Sequence, residues 1–433
     1  MRVADRPTPP IRLDTDPGLA RLALRPVVAI AALGTLAEWD DNPLEVWDDP
    51  LLEWDQDLVD RFVDATCQTQ GIETDVGGPD AHGLFPAGSA NIQLDNTLGL
   101  WSQYNSDGSL VGRGPGHELA IWARYRDGTE SWIFRGTITR WDDLGDVVEV
   151  EAFDSFAQLA QPIGTYTPGT NGQTPGPRQT AILTAAGKAG LPNSFAAGDV
   201  TLTAQATDRS PLEEMQVVVG SDGGALFVDF DGTLRSVRRN WRNGRTDQTA
   251  IPVVAGNVCS ADIVVWDAVL STNDDSVADT AILENVAKLR AQSPAGAIGR
   301  FVYTETDQQW TTQVEGDSLA AFLWTAQQGA RANVESFDLY LYDPDQPDIH
   351  RAVEWRLFDL LCYLHDYRAA DSATARLDMN VVITQVSHSI VPLGNWVMSV
   401  ATSKAVGSNG MLFWNPAGDA YVWDTVGAVW GYA

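Results

Sequence analysis

The string with the most chemistry in this 433-residue chain runs from Ala225 to Leu234, ALFVDFDGTL. An apolar stretch leads into Asp229 and Asp231, spaced two apart and followed by glycine and threonine. Carboxylates placed this way at a strand end could carry covalent phosphoryl transfer. One would attack phosphorus, the second would shuttle a proton, and a magnesium ion would bridge to the phosphate oxygens. The same residues also have a reading without chemistry. Asp-Gly is a favoured pair for a tight turn between antiparallel strands. The residues that follow, RSVRRNWRNGR, alternate as the return strand of a hairpin would and show no helical period.

The string resembles the first motif of the haloacid dehalogenase phosphohydrolases, an apolar strand followed by DxDGT. That resemblance implies Asp229 as nucleophile and Asp231 as acid/base, with Asp274-Asp275 as the family's late acidic pair. The family also needs a lysine between the two motifs, and residues 232–273 contain none. Its motif opens a parallel α/β domain, whereas this one lies mid-chain among antiparallel β signals. The expectation is therefore a hairpin, with Asp231-Gly232 at its turn and Asp229 facing solvent from a strand.

Other constellations point to structure more than to chemistry. His82, His117, His350, His365 and His388 show neither HExxH nor another paired spacing. His365-Asp366 reads as a hydrogen-bonded structural pair. Asp343, Asp345 and Glu354 have part of the ligand spacing of a calcium loop, but Pro347 falls on a ligand position and Asp348 replaces the turn glycine. Cys67, Cys259 and Cys362 lie far apart without CxxC spacing, so they read as small buried apolar side chains. No Walker loop, G-x-S-x-G or Rossmann fingerprint occurs. No residue is nominated as catalytic, cofactor-binding or metal-ligating, no cofactor is expected, and the chain is read as not an enzyme. The 16 tryptophans could stack on sugar rings, although core and interface packing is their commoner use.

Such side chains need elements to position them, and composition bounds those elements. A chain of 433 residues exceeds one ordinary core and implies two to four domains. With 44% apolar and 20% charged residues it has enough surface to bury for a folded chain. The longest apolar run, PVVAIAAL at residues 26–33, is far short of the ~20 residues that span a bilayer. Residues 1–16 are polar and broken by proline, so neither Sec-type secretion nor stable membrane insertion is expected. The 58 acidic and 28 basic residues give a net charge of −30, spread along the chain. That balance excludes gripping nucleic acid through a basic face; DNA would meet a surface it slides past.

Residues 1–57 form an extended arm with a strand candidate at Val27–Leu36 and tryptophan-acid turns at Trp39, Trp47 and Trp54. Residues 58–160 read as a first β-barrel-like domain. Ala90–Asn96 and Asp146–Phe153 alternate apolar with polar, and Leu119–Tyr125 and Trp132–Thr139 flank the turn pair Asp127-Gly128. Residues 161–252 hold a Pro/Gly/Thr linker, a helix at Arg178–Ala189 closed by Gly190, and a second helix ending at Gly220. Ser210-Pro211-Leu212-Glu213 opens that second helix with the spacing of a capping box, and the hairpin follows. Residues 253–406 form a second β-rich domain, with strands at Ala332–Tyr342, Asn380–Ser387 and Val397–Thr402. Residues 407–433 are a tryptophan-rich arm carrying Trp414, Trp423 and Trp430. The fold class is mainly β with a few short helices: two barrel-like domains, a small α/β insert and extended termini.

The order of particular segments adds a family likeness. Ala87–Asn96 reads AGSANIQLDN, Pro115–Ile121 PGHELAI, Ile133–Ile138 IFRGTI and Val148–Ser155 VEVEAFDS. The helix candidate Arg178–Ala189 comes next, then SPLEE at residues 210–214, GGALFVD at 223–229 and Asp231-Gly232. Over residues 85–240 this succession resembles the tail-tip and baseplate hub proteins of long-tailed phages, in which the Asp-Gly is a turn. Residues 250–405 agree only in being β-rich. The tryptophan-acid termini are similar to those of minor tail proteins from phages of actinobacteria.

The resemblance implies a homotrimer at the distal end of the virion tail, assembled in the host cytoplasm. Two related β-barrels per subunit would present six similar faces to the six-fold tail tube. Implied partners are the distal tail protein above, the C-terminus of the tape-measure protein within, and a central fibre or other tip protein below, with DNA only passing through the channel. Three copies would carry about −90, which would keep DNA from adhering during ejection. Trp39, Trp47, Trp54, Trp414, Trp423 and Trp430 are candidate interface anchors, because aromatic anchors dominate interface energies. Removing residues 407–433 is accordingly expected to weaken assembly. A receptor- or cell-wall-glycan-binding tail module and the phosphohydrolase remain as readings from other classes.

Overall fold

The computed structural model describes residues 24–32, 61–78, 85–102, 114–125, 128–204, 206–239, 251–255, 263–272, 280–285, 290–292, 302–326, 332–342, 349–368, 374–392, 394–405, 411–415 and 421–422. They group into two compact units. One takes in the described residues within Met1–Thr74, Ser89–Asp154 and His388–Trp396, the other those within Asp75–Gly88, Ser155–Ser387 and Val397–Ala433. The chain is mainly β with few helices, as its alternating patterns lead one to expect.

The first unit is built on β1 (Leu24–Ala32), β2 (Arg61–Asp64), β3 (Thr69–Gly77), β4 (Ser89–Asp95), β5 (Glu118–Tyr125), β6 (Glu130–Asp143) and β7 (Val147–Phe153). They lie in the order β3-β4-β7-β6-β5-β1-β2. From β4 onward each neighbouring pair is antiparallel. Period-two alternation dictates the faces: on β4, Ile92 and Leu94 are buried while Asn91 and Gln93 face water. The register sets Asn91 opposite Glu151 and Ile92 opposite Val150, so polar meets polar and apolar meets apolar. Gly136 is required where β6 crosses β7, because a Cβ there would lie 2.4 Å from the carbonyl oxygen of Phe153. A bulge between Ile138 and Arg140 follows it. Trp122 packs edge-to-face on Trp132 at 5.6 Å, beside Val27, Ala29 and Ala120. No pairing that closes this ladder on itself is seen among the described residues.

The second unit begins with α1 (Ser155–Leu159), α2 (Pro175–Ala185), β8 (Asn193–Phe195), α3 (Pro211–Gly220), β9 (Ala225–Val228) and β10 (Leu234–Val237). It continues through β11 (Ile251–Ala255), β12 (Ile263–Thr272), β13 (Thr280–Asn285), β14 (Arg290–Gln292), β15 (Val302–Gln308), α4 (Gln313–Ala326) and β16 (Ala332–Tyr340). The last strands are β17 (Leu360–Arg368), β18 (Thr374–Ile390), β19 (Trp396–Lys404), β20 (Met411–Asn415) and β21 (Tyr421–Val422). Six of them pair in the order β17-β11-β12-β16-β19-β18, and β18 also pairs with β17, so the pairings run in a circuit. Val334, Phe337, Leu361, Tyr363, Val381 and Val400 are among the buried apolar side chains of these strands, with Phe337 stacked on Tyr363 at 6.4 Å.

Two smaller three-stranded sheets, β8-β10-β9 and β14-β13-β15, pack with the helices. The capping box at Ser210 is present: its Oγ accepts the Glu213 N–H at 3.2 Å, and the Glu213 carboxylate accepts the Ser210 N–H at 2.8 Å. Helix α2 starts three residues before the expected Arg178, because Pro175, with its fixed φ, fits the first turn. It stops earlier than Ala189, where Gly187 turns left-handed at φ +66 and Lys188 N–H reaches back to the Leu183 carbonyl. Helix α4 falls in a stretch expected to be mostly β. It has a capping box of its own, in which Thr312 Oγ1 accepts the Glu315 N–H and Glu315 accepts the Thr312 N–H. Residues 309 and 310 lie beyond residue 252 in sequence but join the insert in space. Leu202 bridges to Trp310, and Thr203 N–H donates to the Gln309 carbonyl at 3.0 Å.

Candidate functional site

Asp229 and Asp231 sit in the hairpin turn. Strands β9 and β10 are antiparallel with Leu234 opposite Val228. Gly232, at φ +80, donates to the Asp229 carbonyl at 2.8 Å, and Asp229 N–H donates to the Thr233 carbonyl at 2.9 Å. Both carboxylates are committed locally. Asp229 accepts the Phe230 N–H, Asp231 accepts the Thr233 N–H, and Arg235 lies 2.8 Å from Asp229 and 3.6 Å from Asp231. Asp229 departs from the expected solvent-facing position: its side chain is only 18% exposed. Burial pushes its carboxyl above the ordinary range while Arg235 pulls it back. Asp274 and Asp275 lie outside the described residues.

A buried polar arrangement that sequence reading passed over centres on Arg178. Arg178 is fully buried and donates to the carbonyls of Thr170 at 2.8 Å and Thr203 at 3.1 Å, and to Gln173 Oε1 at 3.2 Å. Beside it the buried Glu214 carboxylate accepts from Gln309 Nε2 at 2.6 Å and pairs with Arg209 at 3.3 Å. Burial, with Glu214 adding to it, pushes the nearby Tyr166 phenol up. These groups tie α2 and α3 to residues 200–204 and 309. The hydrogen bonds of Arg178, Glu214 and Gln309 make a structural brace.

A second clamp closes one end of the first unit. Asn96, 4% exposed, donates from Nδ2 to the Gly145 carbonyl at 2.8 Å and accepts the Trp101 N–H on Oδ1 at 2.7 Å. Its own N–H reaches the Asp146 carbonyl at 2.8 Å. Trp141 completes the tie by donating its indole N–H to the Trp101 carbonyl at 3.3 Å. The loop after β4 and the turn between β6 and β7 are thereby one piece.

His388 is buried and accepts the Trp396 indole N–H on Nδ1 at 3.1 Å, a core pair. Cys67 is exposed, contrary to the expectation that all three cysteines are buried; it lies in the short turn between β2 and β3. His365 and Asp366 lie on β17, opposite Leu377 and Arg376 of β18. Trp414 lies on β20, opposite Ala375 of β18 and Tyr421 of β21. Trp39, Trp47, Trp54, Trp423 and Trp430 lie outside the described residues, as do residues 343–348. Trp101, Trp122, Trp141, Trp310, Trp355 and Trp396 are all buried, and Trp132 and Trp324 are half-buried. Among the described residues no cluster of three or more His, Cys, Asp or Glu could hold a metal ion, and no helix is long and apolar enough to cross a membrane.

Two solved structures are similar over most of the chain. A tail protein from Neisseria meningitidis MC58 superposes over 89% of this chain and 98% of its own, with a TM-score of 0.56 and 8% identity. The 43 kDa tail protein of prophage MuSo2 from Shewanella oneidensis matches over 89% of this chain and 100% of its own, with a TM-score of 0.54 and 12% identity. The chain has the fold of these tail proteins. No protein-family model and no curated protein matches it.

Proposed function

We propose that this chain is a structural protein of a phage tail, and that three copies form a hub at its distal end. The observation that carries the proposal is the shared fold, which extends over 89% of the chain and nearly the whole of both tail proteins. In this reading the hub joins the tube and distal tail ring to the central tip or fibre, surrounds the end of the tape-measure protein, and lines the channel through which DNA leaves. It catalyses no reaction, and its place is the virion tail tip after assembly in the host cytoplasm. The net charge of −30 supports a wall that DNA passes without adhering. The burial of Trp101, Trp122, Trp141, Trp310, Trp355 and Trp396 takes these six away from a glycan-stacking surface, which needs exposed indole faces. Sedimentation equilibrium of the purified chain tests the assembly state: the expected mass is three times 46.9 kDa, and a monomer at every concentration would remove the trimeric hub.

A further inference from the structure

Leucine exposure is concentrated at one end of the first unit. Of the seven large apolar side chains exposed among the described residues, three are leucines held by the Asn96 clamp: Leu98 at 80%, Leu100 at 42% and Leu144 at 64% exposure. The other four, Ile163, Val269, Val314 and Val391, lie on separate segments. Asp95 is opposite Val147, so the loop after β4 and the β6–β7 turn leave the sheet side by side. Scattered surface leucines need no explanation, but three on two rigidly joined loops form a patch that water solvates poorly. The clamp has also removed much of the conformational freedom that docking would otherwise have to freeze.

The charge around the patch is predominantly acidic. Residues 94–102 and 141–148 contain Asp95, Asp142, Asp143 and Asp146 and no lysine or arginine; Asp142 is ion-paired with the adjoining Arg140, which leaves Asp95, Asp143 and Asp146 to set the sign. Hydrogen bonds from the Thr97 backbone and side chain hold the Asp95 carboxyl below its usual range. Those from the Ser102 side chain and the Gly145 backbone do the same for Asp143. We propose that Leu98, Leu100 and Leu144 are a docking tip that seats in an apolar socket rimmed by lysine or arginine on another protein of the tail. The proposal rests on the tail reading above. A second copy of this chain, at net −30, fits the acidic ring poorly on charge, as does an anionic lipid surface.

The test adds purified chain to an extract of host cells that assemble the particles without it, and counts the infectious particles formed. The wild-type chain restores them. Leu98→Asp with Leu144→Asp lowers the yield by about 100-fold, and the uncharged pair Leu98→Ser with Leu144→Ser lowers it by about tenfold. Both variants keep the wild-type sedimentation and melting temperature. Asp146→Lys, which reverses one charge of the ring, lowers the yield by about tenfold. Full yield from the leucine variants, or an unchanged or higher yield from Asp146→Lys, overturns the proposal. Loss of self-association on changing the leucines also overturns it, because the socket would then belong to a second copy. If the wild-type chain restores no particles, the tail reading itself fails and the docking tip fails with it.

Discussion

Glu315 shows how one carboxylate can hold two segments together. It accepts the Thr201 N–H at 2.9 Å and the Thr312 N–H at 2.9 Å, with the hydroxyls of both threonines adding further bonds. Burial alone would raise its pKa, but these donors outweigh it and hold the group at about 2 against a usual 4.5. A depressed folded-state pKa contributes stability that is present above the unfolded value and lost as pH falls through the folded one. Glu315→Gln should therefore cost about 1 kcal/mol or somewhat more at pH 7. Its deficit relative to wild type should shrink between pH 4.5 and about 2, as read by urea denaturation at each pH. A deficit that is constant with pH would show that the charge plays no part. Little of this was legible from the residues alone, because Thr201 and Glu315 are far apart in sequence. Arg178 is a similar case: as one polar residue at the start of an alanine-rich stretch, nothing local marks it as buried.

At the scale of elements, local signals predicted what local physics controls. The strands from β4 to β7 and the β9–β10 hairpin follow from alternation and turn residues, and α3 follows from its cap. Helix α4 carried the same signal, Thr312-Gln313-Val314-Glu315, and was missed because a β-rich neighbourhood outweighed a four-residue motif. Ser210→Ala and Thr312→Ala should each destabilise the second unit by about 1 kcal/mol. Thermal unfolding followed by circular dichroism checks this, and an effect at Ser210 alone would mean that the α4 cap carries no weight. The circuit of β11, β12, β16, β17, β18 and β19 was not legible, since it depends on pairings such as Val253 with Tyr363 across more than a hundred residues. The turn at Asp229–Gly232 was legible, but the burial of Asp229 was not, because it depends on what the rest of the unit lays over the hairpin.

For the whole molecule, the fold is shared with two tail proteins at 8% and 12% identity. What persists at such distance is the order of strands, turns and helices, and it was that succession over residues 85–240, more than any single residue, that carried the likeness in the sequence. The acidic charge spread along the chain belongs to the same scale, since it bears on what a ring of copies would present to DNA. The most direct test of the tail-tip hub is electron microscopy of the producing particles with a gold label directed at this chain. The account predicts label at the distal end of the tail, with three-fold symmetry in class averages of that end. Label on peripheral fibres, or on no part of any particle, would contradict it.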